Sequence, residues 1–193
     1  MAHKSVADNL AVTCKEPMLR REHMAKLYVI TGVMASGKST VAEALAKQLP
    51  RAIHLRGDVF RKMIVSGREE MSENPSDEAM RQLLLRYRLT AEAARGYLDA
   101  DFDVVVQDNY LGRMLSDFMS ELHGLDPHVV VICPRTDVVA SREAARSKVG
   151  YRGFSVEGLH TMFMEETPRV GIWLDTSDMS VEETVEAILK DVT

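Results

Sequence analysis

The sequence predicts an α/β protein built on a parallel sheet, and three observations carry that expectation. From residue 26 onward, short apolar runs alternate with segments of helical period. The first run, Leu27-Tyr28-Val29-Ile30, lacks polar alternation, as expected of a strand covered on both faces. It leads directly into Gly32-Val33-Met34-Ala35-Ser36-Gly37-Lys38-Ser39-Thr40, which fits the pattern G-x-x-x-x-G-K-[ST] at every specified position. Strand, glycine loop and helix in that order form the context this pattern requires.

Five strands are expected, at Leu27–Thr31, Ala52–Arg56, Asp103–Gln107, His128–Cys133 and Gly171–Leu174. Seven helices are expected between and after them. The first, Lys38–Leu49, repeats Val41, Ala44, Leu45 and Leu49 at helical spacing before Pro50 stops it. Val59–Val65 is short. Asp77–Leu98 starts after Asn74-Pro75-Ser76, with Asp77 and Glu78 at the positive end of its dipole. Its predicted core stripe is Met80, Leu84, Tyr87, Ala91, Ala94 and Leu98, and its arginines Arg81, Arg86, Arg88 and Arg95 are expected on the solvent side. Gly112–His123, Asp137–Ser147 and Val156–Glu165 follow, with Met114 and Met119 expected in the core beside Leu115, Phe118 and Leu122. The last helix, Val181–Val192, opens on Ser180-Val181-Glu182-Glu183, a capping box. Residues 1–25 have mixed charge and no sustained period, so they read as an N-terminal extension to one domain spanning 26–193.

Composition narrows the classes. The apolar fraction of 46% and the charged fraction of 27% are those of an ordinary globular chain. No apolar stretch approaches a membrane span, and no signal core is visible at the N-terminus. Cys14 and Cys133 are the only cysteines, so no disulfide framework is expected and a reducing, cytoplasmic location fits. A formal net charge of −5 argues against extended nucleic-acid binding. The oligomeric state is not legible.

The chemistry begins at the loop. Gly32 and Gly37 allow backbone amides to face phosphate oxygens, and the helix that follows adds the positive end of its dipole. Lys38 supplies a full charge at the β- and γ-phosphates, and the Ser39 hydroxyl is placed to ligate magnesium. Ala35, Ser36 and Thr40 complete the nucleotide contacts. The second strand ends in Arg56-Gly57-Asp58, and strand carboxyl ends face the ligand crevice in an open parallel sheet. Asp58 is thus a candidate to accept or orient a hydroxyl proton, and Arg61 to hold an anionic or polar part of an acceptor. A helix cap at Val59 would also account for Asp58. Val104-Val105-Val106-Gln107-Asp108 places a second carboxylate where magnesium is supported, with Asn109 and Tyr110 as candidate acceptor contacts. Arg142 and Arg146 share a helix face and precede the glycine-containing basic segment 147–154, which has the makings of a lid that adds positive charge to the transferred group. Arg135 has no evident role.

Taken together, the loop, Gly57-Asp58-x-x-Arg61, the Val-rich strand ending at Asp108 and the Arg142/Arg146 segment resemble the small P-loop kinases. The nearest likeness is to the chloramphenicol phosphotransferase-like group, over roughly Lys26 to the C-terminus. Gluconate kinase and adenylylsulfate kinase share the Gly-Asp arrangement, and polynucleotide kinase shares Asp-x-x-Arg. The resemblance implies a P-loop NTPase fold with a five-stranded parallel sheet and a small lid. It also implies ATP with Mg2+, and transfer of the γ-phosphoryl group to a hydroxyl of a small molecule, an antibiotic or a metabolite. It casts Asp58 as the base and Arg146 as a lid arginine. A polynucleotide 5′-hydroxyl kinase and a non-catalytic ATP-binding module are the alternatives.

Overall fold

The computed structural model describes residues 24–72, 74–145 and 155–192. Most of the N-terminal extension, Cys14, Arg146 and the expected lid segment 147–154 lie outside the described residues. The strands are β1 Leu27–Thr31, β2 Ala52–Arg56, β3 Asp103–Gln107, β4 Pro127–Ile132 and β5 Ile172–Leu174. The helices are α1 Lys38–Gln48, α2 Asp58–Lys62, α3 Asp77–Asp99, α4 Met114–Glu121, α5 Thr136–Ala144, α6 Val156–Glu166 and α7 Val181–Asp191.

All strand pairs are parallel, in the order β2-β3-β1-β4-β5. The chain turns to opposite sides of β1, so a crevice opens at the carboxyl end of β1, where the glycine loop lies. Each central strand feeds a separate apolar layer from each face. Leu27, Val29, Val104, Val106, Val129 and Val131 point into the layer containing Tyr87, Phe118 and Phe163. Tyr28, Ile30, Val105, Val130 and Ile132 point into the layer with Val41, Leu45, Val185 and Ile188. Burial on both faces explains why these strands read as continuous apolar runs.

Several boundaries differ from expectation for identifiable reasons. Gly112 has φ +55 and Gly171 φ +65, a left-handed backbone that excludes them from the helix and strand assigned to them. At Gly171 a Cβ would also stand 2.1 Å from the Val129 carbonyl oxygen. α2 ends at Lys62 because none of its residues is buried, so no packing extends it. The core stripe of α3 is rotated by about one residue in its first half. Ala79, Leu83, Tyr87, Thr90, Ala91 and Ala94 are buried, whereas Leu84 is 45% exposed. Ser76 accepts a hydrogen bond from the Ala79 amide, and the Ser180/Glu183 capping box at α7 is complete. Met114 and Met119 pack against the core, as expected. No helix among the described residues is long and apolar enough to cross a membrane.

Candidate functional site

The loop between β1 and α1 is held by contacts that only small residues permit. A Cβ on Gly32 would lie 2.4 Å from the Ile132 carbonyl oxygen, so β4 and the loop meet with no room for a side chain. Ala35 adopts φ +62 and Gly37 φ +99. A left-handed alanine stores conformational energy that the surrounding structure must hold, and such residues cluster at ligand sites. Lys38 is 7% exposed, and its Nζ donates to the Val33 carbonyl at 2.9 Å, which draws the ammonium across the loop. Arg142 Nη1 donates to the Ser36 carbonyl at 3.0 Å from the other side.

The start of α1 is unlike the other long helix starts. α3, α6 and α7 each begin with a serine whose side chain accepts from the first turn. α1 begins at Gly37 with no side-chain cap and no acidic residue in its first turn. Its positive end is therefore left for an anion from elsewhere.

Beyond this loop, the ends of β2 and β3 bring two carboxylates together. Asp108 is buried under Gly57, where a Cβ would be 2.3 Å from Asp108 Oδ2. The Asn109 amide donates to Asp108 Oδ1 at 2.8 Å. Arg86 Nε lies 3.1 Å from Asp108 Oδ2, with the side chains 11% and 5% exposed, in ion-pair contact but without hydrogen-bond alignment. Burial pushes the Asp108 carboxyl above its usual range, and the charge of Arg86 pulls it only partly back. Asp58, the first residue of α2, pairs with Lys62 and lies 3.6 Å from Arg56 Nε. Burial raises its carboxyl, but the Lys62 hydrogen bond and the charges of Lys62, Arg56 and Arg86 together hold it below its usual value. Its side chain makes no capping bond at α2, so the cap account of this aspartate is not what the structure shows. Gly57→Ala is expected to lower Tm and displace Asp108, at a cost of about 1–3 kcal/mol, which a thermal melt will read.

The Ser39 hydroxyl donates to Gln107 Oε1 at 3.0 Å, one residue before Asp108. Ser39, Gln107 and Asp108 thus form an oxygen donor set of the kind hard divalent cations prefer, and Asp108 Oδ2 is a buried acceptor without a hydrogen bond. Among the described residues no three His, Cys, Asp or Glu side chains converge, so any such ion would rely on ligand oxygens as well.

A cavity of about 270 Å³ opens on the outer side of the loop, lined by Ser36, Gly37, Thr40, Arg142 and the Thr176–Val181 turn after β5. Thr40 is exposed there. Of the residues singled out in the sequence, the structure groups the loop with Arg142 on one side, and Asp58, Arg61, Asp108 and Asn109 on the other. Tyr110 is a correction. It is fully buried, stacked on Phe118 at 4.1 Å and edge-on to Tyr87, and it belongs to the core instead of the crevice surface. Its backbone exchanges hydrogen bonds with Thr31 Oγ1, which ties the turn after β3 to the base of the loop. Arg86 is the other correction, because it faces inward to Asp108 instead of decorating the solvent side. The signal was present: Arg86 stands three residues after Leu83 and four before Thr90, on the buried face of α3. Arg135, without a role in the sequence, pairs with Asp178 beside the cavity turn at 2.7 Å.

Residues 27–167 match the family described as an AAA domain, AAA_33. The chain belongs to this family. No curated protein matches its sequence. Solved structures share the AAA_33 chain's fold at low identity. Adenylylsulfate (APS) kinase of Mycobacterium tuberculosis, solved with AMPPNP and APS, is 18% identical with TM-score 0.66, over 87% of this chain and 98% of that one. The tunicamycin resistance protein of Deinococcus radiodurans is 19% identical with TM-score 0.64, over 87% and 95%. A gluconokinase from Sinorhizobium meliloti is 20% identical with TM-score 0.59, over 88% and 93%. The expected likeness to small P-loop kinases and the five-stranded parallel sheet are thereby borne out.

Proposed function

We propose that this chain is an ATP-dependent kinase that moves the γ-phosphoryl group to a hydroxyl of a small molecule. One observation carries the reading: Gly57 packs on Asp108 at the carboxyl ends of β2 and β3, so the charges of Asp58 and of Lys38, at the uncapped start of α1, both act on Asp108. A loop that only bound nucleotide would not need a second, half-exposed carboxylate next to the first. The cavity between Arg142 and the Thr176–Val181 turn suits the base and ribose, since it adjoins the loop and is walled by both polar and apolar groups. The bound AMPPNP of the adenylylsulfate kinase favours ATP as the nucleotide.

The roles follow from position. The loop amides, Lys38 and the α1 dipole hold the phosphates and oppose charge on the oxygens of the transferred group. Mg2+ would be held through Ser39 and Asp108, with Gln107 orienting the serine, and would neutralise phosphate charge when bound. Asp58 holds the acceptor hydroxyl in line. The hydroxyl oxygen bonds to phosphorus, the bond to the ADP oxygen breaks, and the hydroxyl proton passes to Asp58. Arg61 and Asn109 contact the acceptor, and Arg142 adds positive charge beside the loop; the kinase resemblance assigns the same task to Arg146. A carboxylate held below its usual pKa is a weak base, so Asp58 acts mainly by orientation with late proton transfer.

Asp58→Asn is expected to leave ATP affinity within about twofold and to slow transfer by about 10²-fold, the lower end of the range for a positioned acid–base group. Isothermal titration with AMPPNP checks the first value. ADP release across a panel of hydroxylated antibiotics and metabolites, with product mass showing one added phosphate, checks the second. Unchanged turnover in this variant would remove Asp58 from the mechanism.

A further inference from the structure

A strap over residues 67–71 lies against Arg61 of α2 and Gln82 of α3, and its charge pattern points to the chemistry of the acceptor. Arg61 lies one helical turn after Asp58, about 5 Å along the axis. Its Nη1 donates to Glu70 Oε2, and the other oxygen of the same carboxylate is 3.6 Å from Arg68 Nε. A carboxylate from the chain itself therefore sits on the guanidinium one turn along α2 from Asp58. The space beside Arg61, bounded by Glu69, Met71, Gln82, Leu83 and Arg86, holds only about 10 Å³, which is about the minimum for one water. With the strap in place, no acceptor enters there.

Met71 anchors the end of the strap against the core, and the rest of it is held by bonds that are easily exchanged. Its Glu69 amide donates to Gln82 Oε1 at 3.0 Å, Gln82 Nε2 donates to the Gly67 carbonyl at 2.8 Å, and the Ser76 hydroxyl donates to Glu69. All three are solvent-exposed, and Glu70 is 63% exposed where Arg61 is 26% exposed. Exposed ion pairs contribute little, so an anion held at several points on a ligand can outcompete Glu70. Gly67, at φ +74 with no atom near its Cβ position, provides a pivot for the strap. Of the neighbouring cations, Lys62 and Arg56 are engaged with Asp58 and Arg86 with Asp108.

We propose that the acceptor carries an oxyanion, a carboxylate, sulfate or phosphate a few bonds from its reactive hydroxyl, which seats on Arg61 by displacing Glu70. This rests on the kinase reading and narrows it to hydroxy acids and their sulfate or phosphate counterparts. The strap is the gate, and Glu70 occupies the place of the ligand's anion until one arrives.

The test uses the full chain with the phosphate loop saturated by AMPPNP and Mg2+, so that sulfate cannot occupy that loop. Sulfate is titrated calorimetrically into the native protein, Glu70→Gln, Arg61→Gln and the double variant, with dimethyl sulfone as the uncharged counterpart. Glu70→Gln is expected to bind sulfate about threefold to tenfold more tightly than the native chain. Both variants lacking Arg61 lose that binding, and dimethyl sulfone binds none of them. Equal sulfate affinity in the native chain and Glu70→Gln, sulfate binding that survives Arg61→Gln, or no sulfate binding to Glu70→Gln would each overturn the proposal. Failure of AMPPNP itself to bind is read in the preceding titration and counts against the kinase reading instead.

Discussion

Lys38→Ala is expected to reduce phosphoryl transfer by about 10³-fold or more while leaving the fold intact. The ammonium is nearly buried and donates to the Val33 carbonyl, and its charge also helps to hold the buried Asp108 carboxyl down. Removing a buried cation relieves its desolvation cost, which offsets the attraction to Asp108 that is lost with it. The loss falls on the reaction, because the charge lies where phosphate oxygens gather negative charge and water is excluded. Removing one neutral donor from such a site costs about 10²–10³-fold, and a full charge does more. Calorimetric AMPPNP binding, a thermal melt and ADP release on the same preparation separate these effects. The expected pattern is an unchanged or higher Tm, weaker nucleotide binding and a collapse of turnover.

Arg86→Met is expected to be the most damaging substitution to the fold among the polar residues of the site. The native pair is buried on both sides. Removing the guanidinium leaves the Asp108 carboxylate with the Asn109 amide and the charge of Lys38, and breaking such a pair costs about 3–5 kcal/mol. For a domain of this size that lowers Tm by on the order of 10 °C. Burial already pushes the Asp108 carboxyl upward, and with Arg86 gone it moves further up. The acid limb of the pH–activity profile should therefore shift to higher pH, since Asp108 must be charged to support a cation and loses that charge as pH falls. Replacing Asp108 by leucine in the Arg86→Met background should restore most of the stability without restoring activity, because two apolar groups leave no orphaned charge. A melt of the single and double variants reads the first part, and a pH–activity profile of the single variant reads the second.

The elements that were legible in the sequence are those whose physics is local. The strand–loop–helix around Gly32 to Thr40, the Ser76 and Ser180 helix starts and the apolar runs of β1, β3 and β4 all follow from period, caps and glycine placement. What was not legible depends on contacts distant in sequence. Tyr110 reads as a crevice residue because it follows Asp108, yet Phe118 and Tyr87 draw it into the core. Arg86 reads as a surface arginine because arginines usually are, yet the phase of α3 turns it towards Asp108. The Ser39–Gln107 bond spans 68 residues, and the cavity wall from Thr176 comes from the far end of the chain. Neither has a sequence pattern of its own.

The central claim is that a triphosphate seats on the loop from Gly32 to Thr40 with its terminal phosphate beside Asp58. The direct measurement is a crystal structure of the protein with AMPPNP and Mg2+. The account predicts the β- and γ-phosphates against the loop amides and Lys38, the base between Arg142 and the Thr176–Val181 turn, and the Asp58 carboxylate facing the γ-phosphate. A nucleotide bound elsewhere, or an Asp58 carboxylate directed away from the γ-phosphate, would contradict it.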